Sequence, residues 1–196
     1  ESDGGSVWLL SGSDGWNWSR VPGGPVVTCG NPGEPDGGFV VCSGNLLEYP
    51  DNRWCVAYSG NPIPHKYPGC DIKLRQGLFP GLSGVSGLAT WQKGRLVALQ
   101  CDEIGEFATV AVIPTSDRIR LNTIVKPTGY IKMAVKIYGS SEDMLSHTFE
   151  DTDHLVGDSL AMPVAWKGDA VIPHQGKPII LRFQLKQAKL FGIEFD

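Results

Sequence analysis

The stretch Ile179-Ile180-Leu181-Arg182-Phe183-Gln184-Leu185-Lys186 decides the fold class. Ile179, Leu181, Phe183 and Leu185 alternate with Ile180, Arg182, Gln184 and Lys186, and a period of two puts these sets on opposite faces of a strand. The pattern predicts a sheet with one apolar and one wet face. Working outward, Leu190 to Phe195 follows as a further strand, and Ile119 to Leu121, Tyr130 to Ile137, Met144 to Phe149 and Pro163 to Trp166 precede it. Short antiparallel strands separated by turn residues predict a jelly-roll-like β-sandwich over residues 116–196.

Residues 1–115 read as hairpins. Val7 to Leu10, the turn Ser13-Asp14-Gly15 and Trp16 to Arg20 form a strand, a tight turn and a returning strand. Phe39 to Ser43, Leu46 to Tyr49 and Trp54 to Tyr58 follow, the last two joined across Pro50-Asp51-Asn52-Arg53. Gly87 to Thr90 and Arg95 to Gln100 continue the series, and Phe107 to Ile113 is expected to return across Asp102-Glu103-Ile104-Gly105-Glu106. A Trp or Tyr in each hairpin suits the radial sheets of a propeller, whose blades hold about four strands. This segment holds about two blades and part of a third, too few to close a ring. The expectation is therefore an all-β chain, a partial β-propeller of antiparallel blades at 1–115 followed by the sandwich at 116–196. The missing blades would come from another polypeptide or a removed segment, and the opening at Glu1 rather than Met reads as a processed or excised end.

Composition agrees with this reading. The 25 Gly and 14 Pro among 196 residues argue against a helical bundle or coiled coil. Six Trp, seven Phe and five Tyr supply a core that a disordered chain lacks. The net charge of -4 leaves no basic footprint for nucleic acid, and scattered Lys and Arg give no anionic-membrane surface. No apolar run reaches the roughly 20 residues of a membrane span, and there is no signal-peptide pattern. The five cysteines, at 29, 42, 55, 70 and 101, cannot all pair and form no C-x-x-C zinc or redox motif. They read as buried reduced thiols, with Cys42 and Cys55 the pair best placed to meet.

Gly12-Ser13-Asp14-Gly15-Trp16-Asn17-Trp18 resembles the Asp-Gly-x-x-Trp hairpin of β-propeller glycoside hydrolases, related to the Asp-box of sialidases. Gly87-Leu88-Ala89 through Gly94-Arg95-Leu96-Val97-Ala98-Leu99 resembles their last-blade hairpin. Leu121-Asn122, Gly129 to Val135, Glu150-Asp151-Thr152-Asp153, Gly157-Asp158, Val164-Ala165-Trp166 and Gly176 to Phe183 resemble their C-terminal β-sandwich. The tail Ala188-Lys189-Leu190-Phe191-Gly192-Ile193-Glu194-Phe195 is the most specific match. The chain is thus similar to the C-terminal part of a five-bladed, β-fructosidase-like or arabinanase-like protein. That resemblance implies a glycan substrate, an extracellular or periplasmic setting and catalytic acids largely on earlier blades, so no catalytic residue is carried over.

Glycoside hydrolysis commonly needs two carboxyl groups, about 5 Å apart for retention or roughly 6.5–9.5 Å for inversion. Glu34 and Asp36, in Asn31-Pro32-Gly33-Glu34-Pro35-Asp36-Gly37-Gly38, are the local candidates for sugar contact or acid/base work. The competing reading is a solvated turn with Asx-type bonds. His65, in Ile63-Pro64-His65-Lys66-Tyr67-Pro68, and Trp16, at a turn tip where core packing is hard to supply, are the substrate-binding candidates. Asp151, Asp153, His154 and Asp158 are an oxygen-rich calcium candidate without the EF-hand pattern, weighed against ordinary polar loop bonding. No other cofactor is expected. Asp102 and Glu103 read as a solvated hairpin tip, and Asn17-Trp18-Ser19 fits a glycosylation sequon. Gly81 to Gly87 lacks the spacing of a serine elbow, and P-loop, H-E-x-x-H and G-x-G-x-x-G motifs are absent from the sequence.

The functional expectation is a C-terminal portion of a glycoside hydrolase-like protein that stabilises the propeller, lines a glycan cleft and is not catalytic alone. Its alternative is a carbohydrate-binding or protein-interaction module; a stand-alone glycosidase ranks last.

Overall fold

The alternation that opens at Ile179 produces the longest sheet pairing among the described residues. In the computed structural model, which describes residues 4–65 and 84–196, ten strands and no helix occur among the described residues. The sheets are antiparallel throughout, so the chain is all-β as its sequence implies. It divides into two units, Glu1–Lys93 and Gly94–Asp196.

The first unit holds β1 (Leu10–Ser11), β2 (Ser19–Arg20), β3 (Phe39–Cys42), β4 (Leu47–Tyr49), β5 (Arg53–Asn61) and β6 (Val85–Gln92). β1 and β2 form a two-residue ribbon with Leu10 opposite Arg20. β5 is the centre of the main sheet: β6 pairs along one side, while β3 and β4 take successive halves of the other. The β4–β5 turn places Asp51 and Asn52 at positive φ, 63° and 55°, where Asp and Asn are tolerated because their short side chains bond locally.

The second unit holds β7 (Leu99–Ala108), β8 (Ile119–Ile137), β9 (Gly157–Pro163) and β10 (Ile179–Phe195), in the spatial order β7-β10-β8-β9. Ile179, Leu181, Phe183 and Leu185 are buried, and their polar alternates are half-buried rather than wet. The reason is side-chain pairing on that face: Arg182 binds Asp143 at 2.7 and 2.9 Å, and Gln184 donates to Glu106 at 2.7 Å. Across the apolar face lie Leu155, Val164, Trp166 and Ile172, carried by segments outside the named strands. Isolated bridges, Ile131 with Leu155 and Thr152 with Trp166, tie those segments into the layer.

Several expected strand boundaries shift for one physical reason, which is that long-range pairing overrides local turn signals. Ile179 to Leu185 and Leu190 to Phe195 belong to a single strand, because a bulge at Gln187, with φ 46°, absorbs the break. Ile119 to Leu121 and Tyr130 to Ile137 likewise join in β8, where residues 126–129 bow out opposite that bulge. The hairpin expected at Asp102-Glu103 is absent: β7 runs straight through these residues, paired with β10. This pairing puts β7, placed by the sequence reading with residues 1–115, in the second unit. Met144 to Phe149 lies outside the named strands, and so does Val164 to Trp166, because β9 ends at Pro163.

Cys29, Cys42, Cys55 and Cys101 are free thiols, and Cys70 lies outside the described residues. Cys42 and Cys55 do not meet. Cys42 stands opposite Tyr58, an odd number of residues from Cys55, so alternation directs the two thiols to opposite faces of the sheet.

Candidate functional site

The β1–β2 turn is the best-defined device in the first unit. The Asp14 carboxylate accepts the backbone N–H groups of Trp16 at 2.9 Å and Asn17 at 2.7 Å, and the Asn17 side-chain amide at 2.6 Å. An Asp two and three residues before free N–H groups closes an Asx-type turn because its short side chain reaches them without strain. The Asn17 backbone and side-chain bonds, then that of Trp16, hold the Asp14 carboxyl at about 2, well below the usual carboxylate value. Gly15 follows at φ 75°, a conformation glycine adopts without steric cost.

This turn presents indoles outward. Trp16 is 88% exposed and Trp18 56% exposed. Trp18 is fixed by its indole N–H, which donates to the Gly15 carbonyl at 3.2 Å. The Arg20 guanidinium lies 4.2 Å from the centre of the Trp8 ring, a cation–π stack that extends the aromatic surface along the ribbon. Trp8, Leu10, Trp18 and Arg20 share one face of the ribbon, since Leu10 is opposite Arg20 and side chains alternate.

Glu34 and Asp36 are brought together. A Cβ on Gly30 would meet both Glu34 Oε2 and Asp36 Oδ1 at 2.4 Å, so those oxygens lie within twice that distance of one another. Their roles differ. Glu34 Oε2 accepts the Asn31 backbone N–H at 2.7 Å and Oε1 accepts the Asn31 side-chain amide at 3.2 Å, and those two bonds hold its carboxyl below the usual range. Asp36 Oδ2 accepts the Tyr58 hydroxyl at 3.2 Å. Desolvation, followed by the bond to Asp36, pushes the Tyr58 phenol up. Tyr58 is the neighbour of the pair that sequence reasoning missed, for it is 22 residues from Asp36 and reaches it only through the β3–β5 pairing.

His65 is exposed and lies edge-on to Phe39, ring centres 5.4 Å apart. In the second unit the three candidate metal-ligating aspartates each have their own partner. Asp151 binds Lys167 at 2.5 Å and Thr148 Oγ1 at 2.8 Å, Asp153 accepts the Gly168 N–H at 3.1 Å, and Asp158 binds Arg95 at 2.6 Å. Lys167, then Thr148, holds the Asp151 carboxyl at about 2. Among the described residues no group of three or more His, Cys, Asp or Glu side chains is arranged to hold a metal. The same unit carries an apolar groove of about 310 Å³ between β7 and β10, lined by Val97, Leu99, Phe107, Leu190, Phe191 and Ile193, with no titratable side chain.

No protein-family model, curated protein or solved structure matches the chain. Among the described residues, no helix is long and apolar enough to cross a membrane.

Proposed function

We propose that this chain is the C-terminal, non-catalytic portion of a propeller-type glycoside hydrolase-like protein, which presents an aromatic surface to a glycan and supports the propeller bearing the chemistry. The carrying observation is Trp16, 88% exposed on a turn that Asp14 closes from beneath. A rigid indole held outward offers a flat apolar face to the C–H side of a pyranose or furanose ring with little conformational entropy to lose on binding. In this reading the β3–β6 sheet is a propeller blade, and β7–β10 with the segments over its apolar face form the sandwich. A secreted or periplasmic setting accompanies it, with the remaining propeller segment and a glycan as partners.

The carboxylate pair supports a non-catalytic role for the chain alone. A general acid must carry its proton near working pH, and Glu34, braced by both donors of Asn31, is held ionised. An ionised Glu34 fits only the base or nucleophile role, so the pair would still need a separate group to serve as the acid.

The second reading, a free-standing carbohydrate-binding module, is favoured by the continuation of the surface through Trp18 and Trp8. Assays of the chain on a panel of aryl glycosides test the choice against a stand-alone enzyme. No turnover is expected; turnover that disappears in both Glu34→Gln and Asp36→Asn would overturn the proposal.

A further inference from the structure

His147 is the group whose surroundings demand a particular charge. It is 5% exposed, and both of its ring nitrogens face backbone carbonyls: Nδ1 lies 3.1 Å from the Leu145 oxygen and Nε2 lies 2.9 Å from the Val171 oxygen. A carbonyl oxygen only accepts. A neutral imidazole has one N–H and one lone pair, so in this position it makes one bond and turns a lone pair against the other carbonyl. Turning the ring over offers no escape, because carbon atoms would then replace the nitrogens at both contacts. Only the imidazolium donates to both.

We infer that His147 is a pH-operated clasp: as the imidazolium, its two N–H groups join the carbonyls of Leu145 and Val171 and hold the 144–151 loop to the 169–174 segment, and loss of one proton opens one arm. The backbone of His147 extends the clasp to the sheet. Its carbonyl accepts the Val135 N–H at 2.9 Å, its N–H donates to Met144 at 3.0 Å, and the Met144 N–H donates back to Val135 at 2.7 Å. The Trp166 indole lies beside the ring, centres 4.7 Å apart at a 48° tilt, within cation–π range of an imidazolium. The Trp166 N–H is committed elsewhere, to the Met133 carbonyl at 2.7 Å.

Of the charged groups on the surrounding elements, Glu150 of the loop is exposed and the following are paired. On the loop, Asp151 binds Lys167 and Asp143 binds Arg182 of β10. On β8, Lys136 donates to the Ser141 carbonyl at 3.1 Å. On the facing segment, Asp169 accepts the Val171 N–H at 2.9 Å, and His174 pairs with Asp117 at 2.8 Å. His174 differs from His147 in accepting the Gly176 N–H through Nδ1 at 3.0 Å, so the neutral ring with its proton on Nε2 satisfies both of its contacts. Only His147 needs two protons. The direction follows: both arms are made while the ring carries two protons, and one is lost when it gives a proton up.

Hydrogen exchange of the Val135 and Met144 amides at pH 5 and pH 8, corrected for intrinsic exchange, reads the clasp in the intact chain. Protection is expected to be roughly tenfold weaker at pH 8, the scale of one lost hydrogen bond, with the difference abolished in His147→Gln and kept in His174→Gln. Equal protection at both pH values, or an effect that survives His147→Gln, would overturn the inference. Should His147→Gln fail to fold, nitrogen NMR of the wild-type ring at pH 5 decides: two protonated ring nitrogens, both protected from solvent exchange, support the clasp, and a singly protonated or freely exchanging ring refutes it.

Discussion

Asp14 and Asn17 are joined twice across one turn, the carboxylate accepting the Asn17 backbone N–H at 2.7 Å and its side-chain amide at 2.6 Å. Because Asp14 also takes the Trp16 N–H, the backbone on both sides of the Trp16 peptide is fixed while its indole stays in solvent. The turn is therefore a mount for a ring rather than a packing element.

The mount should survive mild acid. The folded carboxyl of Asp14, at about 2, lies below the ordinary unfolded value of about 3.9, so its contribution is complete above the unfolded value and is lost as pH falls towards 2. Amide exchange at Trp16 and Asn17 followed from pH 5 downward should stay slow through pH 4 and accelerate only below it, beyond the intrinsic trend. Asp14→Ala should show fast exchange at every pH.

Lys167 gives a second acid-dependent contribution. It is the first cause of the lowered Asp151 carboxyl, which stabilises the fold above the ordinary carboxylate range and loses that effect towards pH 2. Lys167→Met should move the acid limb of thermal unfolding to higher pH while leaving the neutral-pH fold intact. An unchanged acid limb would show that the pair has no part in it.

What the sequence made legible was local. Alternation at Ile179 to Lys186 marks a strand because each residue reports its own face, and Asp14-Gly15 marks a turn because the bonding groups are two and three residues apart. The partnerships of Asp36 with Tyr58 and Arg95 with Asp158 were illegible, since each depends on which strands pair. The same limitation broke β8 and β10 into pieces, for a bulge and a hairpin use similar residues and differ in what lies opposite. Glu34 and Asp36 were found as neighbours in sequence, but the bonding that separates their roles required the loop's geometry.

Trp166→Phe tests the core of the second unit. Its indole N–H is the partner of the Met133 carbonyl at 2.7 Å, and Trp166 is buried. The Thr152 hydroxyl also donates to that carbonyl, at 2.8 Å, so losing the indole bond should cost about 0.5–1.5 kcal/mol in urea unfolding, with a further loss from the space vacated.

Gly129→Ala tests the bulge. A Cβ there would sit 2.3 Å from the Lys186 carbonyl oxygen and 2.8 Å from that of Gln187, both backbone atoms that side-chain rotation cannot clear. A loss of about 1–3 kcal/mol is expected by urea unfolding, as for an overpacked site. Gly44→Ala, with nothing within 4 Å of the added carbon, should stay within about 0.5 kcal/mol of the parent.

The most direct test of the glycan-facing proposal is affinity electrophoresis of the chain through gels containing a panel of polysaccharides, with Trp16→Ala run beside the parent. The side chain is 88% exposed, so its removal should leave thermal stability unchanged. Retardation by at least one polysaccharide, weakened roughly thirtyfold in Trp16→Ala as for truncation of an aromatic anchor worth about 2 kcal/mol, is the expected result. Retardation by none of them, or equal retardation of parent and variant, would contradict it.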